Sequence, residues 1–154
     1  MDHREDWTYA IVIPRKHDLC ERPGTNVYRQ IHSVMVDILN QQNAGVCLEE
    51  HPPEKPAGIC FTRAEINDVV LEANKTKVAG AAMKRNKKGL LFQGSIWKPF
   101  LPKLDWNLFA EAFPASLAKL AGAEIEYPGW PDFDPDEETA LIDQYASSEW
   151  IEAL

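Results

Sequence analysis

Basic residues are in short supply: 16 Lys and Arg stand against 24 Asp and Glu, a formal net charge of −8 at pH 7. A protein that grips nucleic acid through its phosphates needs the opposite balance, so nucleic acid is excluded as a general partner. Long hydrophobic runs are missing as well. No window reaches the roughly 18 consecutive apolar residues of a membrane helix, and the opening Met1-Asp2-His3-Arg4-Glu5-Asp6 lacks the apolar stretch of a secretion signal. These absences lead to the expectation of a soluble, cytoplasmic protein with no membrane partner. Cysteine is sparse and odd in number: Cys20, Cys47 and Cys60 lie at irregular spacing, which reads as reduced thiols and not as a disulfide framework. What is present is 154 residues, 45% of them apolar, the size of one globular domain spanning residues 1–154. A chain of that length buries roughly 70% of its extended surface on folding and needs no disulfide or structural metal.

Bulky and β-branched residues from Trp7 to Ile13, stopped by Pro14, predict an early strand. From Asn26 onward Val27, Tyr28, Ile31, Val34, Met35, Ile38 and Leu39 recur at three- and four-residue spacing, which predicts an amphipathic helix that Gly45 stops. Val46 to Leu48 reads as a short strand and Glu49 to Pro56, with three prolines, as a surface loop. Strands are predicted at Asp68 to Leu71, Lys77 to Lys84 and Gly89 to Ile96. The turn Arg85-Asn86-Lys87-Lys88-Gly89 makes the last two an antiparallel hairpin. A helix around Trp106 to Phe113 is expected to break at Pro114 and resume from Ser116 to Leu120, with Gly122 ending it. Asp134 before Pro135 marks the N-cap of a last helix reaching about Ala146. The class is α/β, of an α+β-like kind, with a mostly antiparallel mixed sheet flanked by helices.

The stretch Lys77-Val78-Ala79-Gly80-Ala81-Ala82-Met83-Lys84-Arg85 carries the most chemical information. Small residues at 79 to 82 let a ligand approach a strand closely, and Lys77 places a cation beside that gap. The same residues also read as close strand packing with a solvated edge lysine. His17-x-x-Cys20 and Cys47-x-x-x-His51 have the donor types of a zinc site, although both pairs sit in loop-like segments, and no metal is assigned. His32 lies between apolar neighbours and reads as a helix-surface residue. The run from Lys84 to Lys88 reads as a solvated turn, which an acidic partner surface would suit.

The run KVAGAAMKRNKKGLLFQGSI resembles the lysine-bearing hairpin of the lipoate-protein ligase and octanoyltransferase family, K-[VI]-x-G-x-A-x-x-R followed by L-x-x-G-[ST]-[IL]. Other pieces fall in the family's order: His3 to Ala10 is similar to its H-x-x-D-x-T-Y-S segment, Val27 to Ile31 to its Y-R-x-I helix, and Cys60-Phe61 and Asn67-Asp68 to its C-F and N-D positions. Tyr145 to Trp150 is similar to its closing Y-x-S-x-E-W. The resemblance implies a biotin/lipoate ligase-like fold. It also implies transfer of an octanoyl or lipoyl group to a lysine of a lipoyl carrier domain, either the E2 subunit of a 2-oxoacid dehydrogenase or the glycine cleavage H protein.

Under that resemblance Lys77 and Cys60 are the catalytic candidates, and His3, Gly80, Ala81, Gly94 and Ser95 line the substrate site. Cys60 would take the acyl group from acyl carrier protein as a thioester. In a ligase ATP with magnesium would form an acyl adenylate instead. Cys60 also reads as a buried structural thiol. The family's R-R-x-x-G-G-G loop normally precedes the His3 position, so the resemblance leads to the expectation of a domain incomplete at its amino terminus, self-associating as a homodimer. A non-catalytic remnant that binds an acyl chain or carrier protein is the alternative.

Overall fold

The computed structural model describes residues 5–51, 63–127, 129 and 132–152. Strand β1 (Asp6–Pro14) leads into a one-turn helix α1 (Asp18–Glu21) and the long helix α2 (Gly24–Gln41). Short strands β2 (Val46–Leu48) and β3 (Val69–Leu71) follow, then the hairpin β4 (Lys77–Asn86) and β5 (Gly89–Trp97). A 3-10 turn at Lys98–Phe100 precedes α3 (Trp106–Ala121), and α4 (Pro135–Ala146) and α5 (Ser148–Glu152) end the described chain. The five strands form one sheet in the order β1-β5-β4-β3-β2, every pairing antiparallel, so the domain is α+β.

Alternation along β1 decides which face of the sheet is covered. Trp7, Tyr9, Ile11 and Ile13 join the core with Phe92 and Ile96 of β5, beneath Val27, Ile31 and Met35 of α2 and Phe109 and Phe113 of α3. Thr8, Ala10 and Val12 point the other way and are exposed, Val12 at 74%. The hairpin closes as its sequence predicts: the Asn86 side chain accepts from the backbone N–H groups of Lys88 (2.8 Å) and Gly89 (3.2 Å). Gly89 is required because β1 runs against it; a Cβ there would lie 2.3 Å from the Ile13 carbonyl oxygen.

Three local expectations change. Helix α3 does not break at Pro114 but runs unbroken from Trp106 to Ala121. Proline removes one hydrogen bond, to the carbonyl four residues back, while Phe109 and Phe113 are buried and Leu117 and Leu120 pack on the core, which holds the helix through the lesion. Helix α2 starts at Gly24 and ends at Gln41, ahead of Gly45, because Asn43 already adopts a left-handed φ of 59°. The Asn40 side chain then ties the helix end to β2, donating to the Val46 carbonyl (2.8 Å) and accepting from its N–H (3.0 Å). Third, His17 caps α1 where a loop was expected, its Nδ1 accepting from Leu19 N–H. Asp134 caps α4 as predicted, accepting from the N–H groups of Asp136 and Glu137. Among the described residues no helix is long and apolar enough to cross a membrane.

Candidate functional site

Lys77 opens β4 at an irregularity. Lys77 and Ala79 oppose Val70 and Val69 of β3, so β4 carries one extra residue, Val78, at this step. Val78 and Ala79 are both buried. The bulge turns Lys77 onto the same face as Gly80, where a Cβ would lie 2.6 Å from Lys77 Cε and 2.7 Å from its Nζ. The missing side chain at position 80 is therefore the space that the lysine head occupies.

That head is not a solvated edge charge. Lys77 Nζ lies 2.7 Å from Asp68 Oδ2, with 12% and 5% of the two side chains exposed, and it donates to the Arg63 carbonyl at 3.3 Å. Asp68 Oδ2 also accepts from the Glu65 N–H at 2.8 Å. Lys77 of this pair lines a groove of about 730 Å³ on the sheet face away from the core, together with Thr8, Ala10, Gly80, Ala82, Gln93 and Ser95, with Tyr9, Ala81 and Gly94 at its floor. Apart from Gln93, the side chains in that row are small. Gly94 keeps the floor thin: a Cβ there would lie 2.4 Å from the Gly80 carbonyl oxygen, 2.7 Å from the Tyr9 hydroxyl and 2.9 Å from the Ala81 Cβ. The groove thus combines a strip of mostly small side chains with one buried, ion-paired ammonium, a form that suits a chain with a single polar end.

Behind the floor lies a buried polar relay. His32 is fully buried, which corrects its reading as a helix-surface residue; the stripe of α2 is wide enough to take it inside. Its Nδ1 lies 2.5 Å from the Asn67 carbonyl oxygen and its Nε2 3.2 Å from the Tyr9 hydroxyl. A carbonyl only accepts, so Nδ1 carries the proton and Nε2 accepts from Tyr9. Burial pushes the His32 imidazole below its ordinary range and keeps it neutral. Burial also pushes the Tyr9 phenol up, with the neighbouring Tyr28 and Asp68 acting in the same sense. Tyr28, likewise raised by burial, donates to the Ala81 carbonyl at 2.9 Å and so braces β4 from the core side.

Of the residues singled out in the sequence, Lys77, Gly80, Ala81, Gly94 and Ser95 come together in this groove. His3 and Cys60 lie outside the described residues. Asp68, His32 and Tyr9 were not singled out as site residues. The N-D match at Asn67-Asp68 points to Asp68, but nothing in sequence spacing joins Tyr9 to His32. The zinc donors do not converge: His17 Nε2 meets the Ala121 carbonyl oxygen (3.1 Å), Cys20 is buried, and Cys47 lies beside Lys75. Among the described residues no group of three or more His, Cys, Asp and Glu side chains could hold a metal ion. The Lys84 to Lys88 turn is exposed throughout, and Arg85 donates to the Arg22 carbonyl.

Residues 2–98, which take in the whole sheet and α2, match the biotin/lipoate A/B protein ligase family. No curated protein matches the sequence. Among solved structures, the chain is similar to protein Ta0514 of T. acidophilum with bound lipoic acid, at a TM-score of 0.66 and 15% identity over 98% of this chain and 66% of that one. A second structure of Ta0514 matches at 0.65 and 16%, over 98% and 66%. A bi-partite lipoate protein ligase of Thermoplasma acidophilum, from a lipoylation system with its E2 lipoyl domain, matches at 0.59 and 15%, over 96% and 64%. Identity this low shows a shared fold, and the chain spans just under two thirds of the length of each of these relatives.

Proposed function

Because the chain belongs to the biotin/lipoate A/B protein ligase family, we propose that its groove takes the chain of an octanoyl or lipoyl group and holds the carbonyl end beside Lys77, for attachment to a lysine of a lipoyl carrier domain. The observation that carries this reading is the buried Lys77–Asp68 pair at the end of a strip of small side chains. Lipoic acid bound to a relative of the same fold, and an E2 lipoyl domain paired with another, support the substrate and the partner.

In this reading Asp68 keeps the lysine head charged and aimed, and the ammonium offsets the negative charge that grows on the carbonyl oxygen as the carrier lysine attacks. Gly80 gives the head its place, and Ala81, Gly94 and Ser95 shape the path of the acyl chain. Two activations lead to this step. In one, Cys60 displaces the thiol of acyl carrier protein and holds the octanoyl group as a thioester. In the other, ATP with magnesium converts the free acid to an acyl adenylate. His3 and Cys60 enter on the family resemblance alone.

Octanoate binding to the purified chain, followed by calorimetry, tests the reading. Lys77→Met is expected to weaken binding by about tenfold or more, the loss of one partly buried charge contact. Because that change strands Asp68 in a buried place, the double variant Lys77→Met/Asp68→Asn serves as the folded control and is expected to lose binding equally. Octanoate binding that is unchanged in both, or matched by octanol in the wild type, would overturn the site. Binding without octanoyl or lipoyl transfer from either donor would favour a non-catalytic acyl binder.

A further inference from the structure

The two edges of the sheet meet their surroundings differently. At one end of the strand order β2 is three residues long, too short to template another chain. At the other end β1 runs for nine residues and pairs on one side only, with β5, in unbroken register from Asp6 to Pro14. The devices that blunt a natural edge are missing from it. Between Trp7 and Ile13 there is no charge, no proline and no bulge. On the core side Trp7 and Ile11 are half-buried, whereas Ile96 and Phe92, which face them on β5, are fully buried. On the outer side Val12 is open to water.

The strand is also complementary to itself. Laid antiparallel to a second β1 with Ala10 facing Ala10, it sets Thr8 opposite Val12 on the outer face, and Trp7 opposite Ile13 and Tyr9 opposite Ile11 on the core face. Every side chain keeps its face in that register, and no charge is buried. Charge enters at the two ends. There exposed Glu5 of one copy comes opposite exposed Arg15 of the other, twice across the two-fold axis. Arg15 also holds Glu21 of its own chain, and the exposed Lys16 beside it supplies a second cation.

We propose that two copies of the chain join through β1, antiparallel about a two-fold axis at Ala10, so that their two five-stranded sheets become one and each copy walls the other's groove. The groove lies open on its β1 side, where Thr8 and Ala10 are its last lining residues. Across the sheet Gly80, Ser95 and Thr8 stand in one row. In the joined sheet that row continues to Val12 of the partner subunit, an apolar side chain beside the Lys77 end of the groove, which the single chain lacks. The join stands on the edge alone; only the use of that wall rests on the acyl reading.

Sedimentation equilibrium and oxidative crosslinking of the whole chain test the join. The wild type is expected to be dimeric at tens of micromolar. Directly opposed residues of an antiparallel pair stand within disulfide reach, so mildly oxidised Ala10→Cys is expected to give a covalent dimer whose bridge maps to position 10 of both chains; links through the native cysteines map to other peptides. Thr8→Cys and Val12→Cys are each expected to stay unlinked alone and to link when mixed, which reads the register. Ala10→Lys sets like charges face to face on the axis and is expected to raise the dissociation constant by about tenfold or more, whereas Ala10→Thr associates as the wild type does. Octanoate binding enters none of these readouts, so the join and the groove's ligand can fail separately. A wild type that stays monomeric at tens of micromolar, or a dimer that links at none of these positions, would overturn the proposal.

Discussion

Helices α2 and α4 both carry apolar residues at helical spacing, yet α2 buries Val27, Ile31, Met35, Ile38 and Leu39, whereas no residue of α4 is buried and Leu141, Ile142 and Tyr145 stay exposed. Charge separates the two regions further. Ten of the chain's 24 Asp and Glu lie in residues 121–154, a stretch that holds none of its 16 Lys and Arg. The sheet with α2 and α3 is therefore close to neutral and packed, and the segment from Asp132 onward is acidic with aromatic residues at its surface, Tyr145 against Trp150 with ring centroids 4.8 Å apart. Amphipathic spacing and capping decide where a helix forms; whether it docks depends on an apolar surface of matching shape and on the charge it brings with it. The groove and its relay both belong to the packed region.

The sharpest way to test that division is to damage the packed region at its centre. Phe92 of β5 is fully buried and meets Tyr28, His32 and Tyr9 at ring centroid distances of 4.8, 5.6 and 6.2 Å. Phe92→Ala is expected to destabilise the chain by about 3–5 kcal/mol, through lost burial and the cavity left among three rings. Urea unfolding followed by tryptophan fluorescence measures it. A loss under about 1 kcal/mol would mean that the sheet and α2 are loosely joined, and would break the comparison at its stronger side.

Much of this was legible in the chain itself, for identifiable reasons. The Asn86 turn, the stripe of α2 and the Asp134 cap are local patterns in which neighbouring residues decide the outcome. The small residues at Gly80 and Ala81 beside Lys77 were legible as a place of close approach. The length of α3 was not, because Pro114 is a local breaker overruled by the burial of Phe109 and Phe113. The Tyr9–His32 contact bridges 23 residues, and a histidine among apolar neighbours reads alike whether it faces water or a buried phenol. The bulge that turns Lys77 toward Asp68 comes from strand register, which no spacing along one strand reveals.

A smaller effect is expected from acid, and it belongs to the packed region alone. His32 faces Tyr9 of β1, Tyr28 of its own helix, Asp68 just before β3 and Lys77 of β4, and burial outweighs the rest in keeping it neutral. Its folded form resists a proton that the unfolded chain accepts near the ordinary value of 6.5. The stability it contributes is therefore present above that pH and is lost as pH falls, by at most about 1.4 kcal/mol per pH unit. His32→Gln keeps a donor for the Asn67 carbonyl and an acceptor for Tyr9 but does not titrate. Between about pH 7.5 and about pH 5.5 the wild type is expected to lose more stability than His32→Gln, by up to about 1.4 kcal/mol in urea unfolding. Equal losses in the two proteins would show that His32 takes a proton in the folded state without cost.

The smallest effect is expected where the same kind of residue has nothing to pack against. Leu141 on α4 is 51% exposed while Met35 on α2 is at 0%. Leucine and alanine differ little in helix propensity, and the Asp134 cap and Pro135 at the first turn remain in place. Leu141→Ala is therefore expected to shift unfolding by no more than about 0.5 kcal/mol, against about 2–5 kcal/mol for Met35→Ala. Both are read from urea midpoints measured side by side. A Leu141→Ala loss approaching that of Met35→Ala would mean that the apolar side of α4 is covered in solution, and the contrast between a packed region and an exposed acidic one would give way to a single core that extends over both.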